Sequence, residues 1–231
     1  MSQLEKLKEE MKISELNPIE MKNYIESLGL SLGKVTTIEI AGPGNMNCTL
    51  RVTHSEGSLV IKQSQPYCEK YPSIAAPVNR ANIEATFYKF ISDVDEISTL
   101  FPQLLGADST ENVLIIQDLG ISSDYSYAYN NKAIPVNELK EITKNLLSLH
   151  NSITSDDREL DNQGMKELNH EYIFVQPLRD LNNPSLDDIT AGLNEESKFL
   201  RSNEKYIKRV TELGKIYLSP GKRLLHGDYY P

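Results

Sequence analysis

Between Val35 and Ser64 the chain offers three strand-like runs joined by turns too short for anything but hairpins. Val35 to Ala41, Met46 to His54 and Ser58 to Ser64 are rich in Val, Ile, Thr and Leu, with Gly42-Pro43-Gly44-Asn45 and Glu56-Gly57 between them. Antiparallel pairing follows, and the rest of the chain must cover the sheet so formed. Ahead of it, Asn17-Pro18 with Glu20 reads as a capping box with proline at the first helical position. Met21, Ile25 and Leu28 then line one face of a short helix whose end Gly33 marks. Behind it, a loop from Gln65 to Val78 leads to a helix over about Asn79 to Val94, with Ile83, Phe87, Phe90 or Ile91, and Val94 facing inward.

Two more strands are expected at Gln103 to Ala107 and Asn112 to Leu119. Within the second, Val113-Leu114-Ile115-Ile116 is apolar enough for a strand covered on both faces. After Gly120 the composition shifts to Ser, Tyr and Asn, and the chain beyond reads as mostly helical. Asn137 caps a helix with Leu139, Ile142, Leu146 and Leu149 in one stripe, and a long helix runs from about Leu193 to Ile216. His170 to Phe174 and the turn at Asn183-Pro184 are less regular, and Arg223 to Asp228 reads as a short strand entering a polar loop. The order of elements is α+β. An N-terminal antiparallel sheet lobe with one principal helix spans 1–119, with a helical extension over 1–33, and a mostly helical lobe spans 120–231.

Thirty-three acidic against 24 basic residues give a net charge of −9, with no basic stripe, so nucleic acid is not an expected partner. Met1 to Glu10 is charged and unlike a signal peptide, and no stretch approaches the ~20 apolar residues that a membrane helix needs. Cys48 and Cys68 lack metal-like spacing and fit a reduced thiol pair in a cytoplasmic protein.

Four features carry chemistry. Gly42 to Asn47 is a glycine-bearing turn between strands that could lay backbone amides over a polyphosphate. Lys62 sits inside the apolar run Val60-Ile61-Lys62-Gln63, and Glu84 follows it by twenty-two residues, early on the next helix. Strand lysine and helix carboxylate together can hold an ammonium against nucleotide phosphates. His226-Gly227-Asp228 presents an aspartate able to accept the proton of a substrate hydroxyl, while His226 reads as a packing or loop-orienting residue. Each feature alone has an ordinary reading as a hairpin turn, a surface charge or a loop. Their order in one chain points to a phosphotransferase.

In these residues the chain resembles the protein-kinase-like small-molecule kinases, the group of the aminoglycoside and choline phosphotransferases, and within it the methylthioribose kinases. The likeness rests on Gly44-Asn45-Met46-Asn47, Val60-Ile61-Lys62-Gln63 with Pro66-Tyr67, Arg80 with Ile83-Glu84, Ile116 to Leu119, and Leu225 to Asp228. It implies a bilobal fold in which ATP is held by the turn at Gly44, Asn45 and Met46, by Lys62 secured by Glu84, and by backbone groups of Gln117, Asp118 and Leu119. Asp228 would be the catalytic base, and Mg2+ would be held by ligands expected beyond residue 231. Tyr229-Tyr230-Pro231 follows Asp228 where methylthioribose kinases carry Leu-His-Thr-Gly-Ser, so the implied acceptor is a hydroxyl of a small molecule, a methylthioribose-like sugar or a related alcohol. The chain is accordingly expected to be a truncated or fragmentary kinase, with a homodimer as its possible assembly. The alternative expectation is an inactive nucleotide-binding pseudokinase module.

Overall fold

A computed structural model describes residues 11–42, 44–120, 124–152, 160–179, 185–188, 190–221, 224 and 225. They group into two compact units, one running to Asp161 and taking in Leu224 and Leu225, the other Asn162–Gly221. The expected lobe boundary after residue 119 falls inside the first unit.

The first unit contains β1 (Val35–Ile40), β2 (Cys48–His54), β3 (Gly57–Gln63), β4 (Tyr67–Cys68), β5 (Tyr71–Ala75), β6 (Leu104–Asp108) and β7 (Val113–Gln117). Five of these make an antiparallel sheet in the order β1-β2-β3-β7-β6, and β4 and β5 form a separate hairpin. Side chains alternate across a strand, so successive residues of β7 feed different cores. Val113 and Ile115 join Leu50, Val52, Leu59 and Ile61 under Ile13 and the helix α1 (Pro18–Ser27). Leu114 and Ile116 join Ala81, Ala85, Tyr88 and Ile91 of α2 (Arg80–Ser92), after which come the single turn α3 (Asp95–Ser98) and α4 (Val136–Ser152). Burial of all four apolar residues of β7 on opposite faces bears out the reading of a doubly covered strand.

Local chemistry sets the ends of α1. The Asn17 side chain accepts from the amides of Ile19 and Glu20, and Glu20 Oε2 accepts from the Asn17 amide at 2.9 Å. The helix stops at Gly29 and not at Gly33, because Gly29 takes the left-handed φ of +87° directly after Leu28. Gln63, 2% exposed, staples the preceding segment to the sheet. Its Oε1 accepts from the Ile13 amide at 3.0 Å, and its Nε2 donates to the carbonyls of Met11 at 2.7 Å and Glu111 at 3.1 Å.

Several expectations are corrected. On α2 the expected Ile91 is buried and Phe87, Phe90 and Val94 pack half-buried against the same core, but the buried face also takes in Ala81, Ala85 and Tyr88, since alanines let the helix lie close against β6 and β7. The Gln65 to Val78 loop, whose three prolines disguised two short strands, holds the β4–β5 hairpin. Helix α4 begins at Val136, so Asn137 lies within its first turn instead of capping it, and of its apolar stripe Leu149 is buried while Leu139 is 50% exposed.

In the second unit α5 (Gln163–His170) runs directly into a π turn at Glu171–Val175, and α6 (Leu193–Arg201) precedes α7 (Glu204–Leu218). The single helix expected from Leu193 to Ile216 is broken at Ser202-Asn203. There the Asn203 side chain accepts from the Tyr206 amide at 3.1 Å and starts a new helix. Gly214 permits the packing of this unit: a Cβ there would lie 2.7 Å from His170 Nε2. Asn183, Pro184 and the segment His226 to Asp228 lie outside the described residues. Among those described, no helix is long and apolar enough to cross a membrane.

Gln63→Leu leaves a buried amide and two carbonyls without their side-chain partner, which costs about 1–3 kcal/mol. Urea denaturation should show that loss, together with faster hydrogen exchange at the Ile13 amide. Wild-type stability and exchange would mean that the staple does not hold the N-terminal segment.

Candidate active site

Alternation along β3 turns Leu59, Ile61 and Gln63 toward α1, so Val60 and Lys62 face the α2 side of the sheet. There Lys62 Nζ donates to Glu84 Oε1 at 2.7 Å, with 23% and 27% of the two side chains exposed. Ser64 brings the two elements together. Its hydroxyl, 2% exposed as a residue, donates to the Val78 carbonyl and accepts from the Ala81 amide at 3.2 Å, fixing the first turn of α2 to the end of β3. Glu84 then projects one turn later. One further turn on, the Tyr88 hydroxyl has its pKa raised, first by burial and then by the Glu84 carboxylate and a hydrogen bond to it. An ion pair this accessible contributes on the order of 0–1 kcal/mol to stability, so its effect is on where the ammonium sits.

Cross-strand register sets Thr49 and Arg51 of β2 beside Lys62 and Val60 on the same face. Because α2 packs on β6 and β7, the β2–β3 half of that face stays partly open. The turn from Gly42 to Asn47 borders it at the Lys62 end. Here Gly44 N donates to Gly42 O at 2.8 Å, and the carbonyls of Asn45 and Met46 accept from the amides of Lys70 at 3.1 Å and Glu69 at 3.4 Å, at the tip of the β4–β5 hairpin.

At the opposite end of β3 lie Gln117, Asp118 and Leu119. Asp118, with 3% of its side chain exposed, accepts from Arg51 Nε at 2.8 Å, Arg51 Nη2 at 3.1 Å, Ser58 Oγ at 2.7 Å and the Gly120 amide at 2.9 Å. Burial pushes its carboxyl up, but hydrogen bonds from Arg51, Ser58 and Gly120 outweigh burial and hold it below the usual range. The carboxylate is therefore committed within the protein. Gln117 N donates to Gln103 O at 2.8 Å, and Leu119 is 65% exposed.

The structure thus groups Gly44, Asn45, Met46, Lys62 and Glu84 at one end of the open half-face and Gln117 to Leu119 at the other, while Asp228 lies outside the described residues. Leu224, four positions before Asp228, packs against the core that contains Leu114, Ile116 and Leu149. Two further elements had no part in the sequence reading of the site: the Arg51 clamp on Asp118, and the bonding of Arg80. Arg80 was visible only as an arginine ahead of Ile83-Glu84. Cys48 and Cys68 are buried free thiols, and burial with the nearby Glu69 pushes the Cys48 thiol up to about 11. Among the described residues no group of three or more His, Cys, Asp or Glu could hold a metal ion.

A carboxyl depressed in the folded state contributes stability above its unfolded pKa and loses it as pH falls through the folded value. Asp118→Asn should therefore lower Tm at pH 7, and the gap from wild type should shrink on acidification below about pH 4. A gap that does not change with pH would show that ionised Asp118 stabilises nothing.

No protein-family model matches the chain. It is 24% identical over 222 residues to a methylthioribose kinase of Exiguobacterium sibiricum, an alignment covering 89% of this chain and 54% of that enzyme. The chain thus spans about half the length of the curated relative it matches. Among solved structures, a spectinomycin phosphotransferase in complex with ADP and spectinomycin is similar at 14% identity and a TM-score of 0.42, over 90% of this chain and 60% of that one. The ordered motifs, the Lys62–Glu84 pair and the sequence similarity agree in relating the chain to the protein-kinase-like small-molecule kinases, with a methylthioribose kinase among its relatives.

Proposed function

We propose that the chain belongs to an ATP-dependent phosphotransferase that acts on a hydroxyl of a small molecule, a methylthioribose-like sugar or a related alcohol. The observation that carries this reading is the Lys62–Glu84 pair at 2.7 Å on a partly open sheet face, bordered by a glycine-bearing turn. An ammonium held by a neighbouring carboxylate offers a fixed positive charge to the α- or β-phosphate without the entropy of searching for it. The turn at Gly44, Asn45 and Met46 would lie over the phosphates. Backbone groups of Gln117 to Leu119 would meet the adenine edge, their path held by the Arg51–Asp118 clamp.

In this reading Asp228 accepts the proton of the acceptor hydroxyl as that oxygen bonds to the γ-phosphorus and the bond to the β,γ-bridging oxygen breaks, releasing ADP. The packing of Leu224, four positions before Asp228 in sequence, on the α2 side of the sheet is consistent with this reading. Magnesium, when bound, would supply charge neutralisation on the phosphate oxygens. Methylthioribose is the first acceptor to test because a methylthioribose kinase is similar to this chain.

Lys62→Met should weaken ATP binding about tenfold or more by calorimetry. Asp228→Asn should leave ATP affinity within about twofold and cut transfer to methylthioribose or related alcohols by about 10²–10⁴. Unchanged ATP affinity in the first variant would remove Lys62 from the site. Undiminished transfer in the second would remove Asp228, and wild-type ATP binding with no transfer to any hydroxyl would favour the nucleotide-binding module.

A further inference from the structure

Arg80 is 5% exposed, and among the described residues no carboxylate is in contact with it. A guanidinium has five N–H donors. Here Nε donates to Asn47 Oδ1 at 2.7 Å, Nη1 to the carbonyls of Gln65 at 2.7 Å and Pro77 at 2.8 Å, and Nη2 to the carbonyls of Tyr67 at 3.0 Å and Met46. Four go to backbone carbonyls and one to the Asn47 side chain, and burial lowers the pKa of the group, with Cys68 and Glu69 nearby opposing that shift. Placing a cation in such a site costs several kcal/mol unless every donor is satisfied, which makes the arrangement a specified one.

The three segments that Arg80 joins are informative. Met46 and Asn47 belong to the glycine-bearing turn, Tyr67 opens the β4–β5 hairpin whose tip also bonds that turn, and Arg80 itself is the first residue of α2, one turn before Glu84. We infer that Arg80 is a positioning residue that locks the phosphate-facing turn to the helix carrying Glu84, so that turn and Lys62 ammonium meet a nucleotide phosphate in one fixed geometry. This rests on the phosphotransferase reading of the site. Too buried to touch a ligand itself, Arg80 acts through the carbonyl of Met46 and the side chain of Asn47. Lysine cannot replace it, since three donors on one nitrogen cannot span five acceptors.

The distinguishing measurement compares ADP with adenosine, which shares the base and ribose but lacks phosphate. Asn47→Ala, which removes one acceptor and no charge, should bind adenosine as wild type does and ADP about tenfold more weakly by calorimetry. Arg80→Lys, where circular dichroism shows it folded, should do the same to a larger extent. Wild-type ADP affinity in Asn47→Ala, or an equal loss for adenosine and ADP, overturns the inference, and the Asn47 variant decides alone if Arg80→Lys does not fold. A wild-type protein that binds neither ligand instead refutes the phosphotransferase reading and the inference with it.

Discussion

The packing of the first unit brings Lys62 and Glu84 into contact, and the reading of the candidate site depends on that contact. A lysine on a strand can point to either face, and a glutamate on a helix can point anywhere around the axis. They meet at 2.7 Å because the sheet register turns Lys62 to the α2 side and Ser64 fixes the start of α2 at the end of the same strand. The alanines of α2 then let the helix lie on β7 closely enough for a four-carbon side chain to reach the carboxylate. Since such a pair adds little to stability, the surrounding apolar packing supplies the energy and the pair supplies the position.

The same division of labour recurs at each border of the open half-face. Arg80 holds the glycine-bearing turn from behind, and Arg51 holds Asp118 and Gly120 at the far end of β3. Arg80, which is buried, and Arg51, which is half-buried, both spend their donors on groups of the protein itself. Lys62, between them, is partly accessible. A face built in this way is held at both ends by the protein's own contacts.

Much of this was legible in the sequence where the causes are local. The three N-terminal strands follow from β-branched runs between short turns, α1 from the Asn17–Glu20 capping box, and the double burial of β7 from four consecutive apolar residues. The spacing of Lys62 and Glu84 was readable as a pair only because a strand and a helix were already expected there. What could not be read depends on tertiary contacts. The stop at Gly29 depends on a left-handed φ that Gly33 could equally have supplied from sequence. Ala81 and Ala85 on the inward face of α2 went unread because large apolar residues outrank alanine by hydrophobicity but not by closeness of approach. The bonding of Arg80 was not readable, since nothing in its neighbours along the chain announces five acceptors gathered from three segments. The break at Ser202-Asn203 hid within a continuous apolar periodicity until the Asn203 cap was seen.

A double-mutant cycle on ADP affinity, using Lys62→Met, Glu84→Gln and the combined variant, tests most directly whether the ammonium and carboxylate act as one device. If Glu84 serves only to hold Lys62, the second substitution should add almost nothing once the lysine is gone, leaving a coupling of about 1 kcal/mol or more. Losses that simply add would contradict the account, because they would mean that the two residues influence the nucleotide independently.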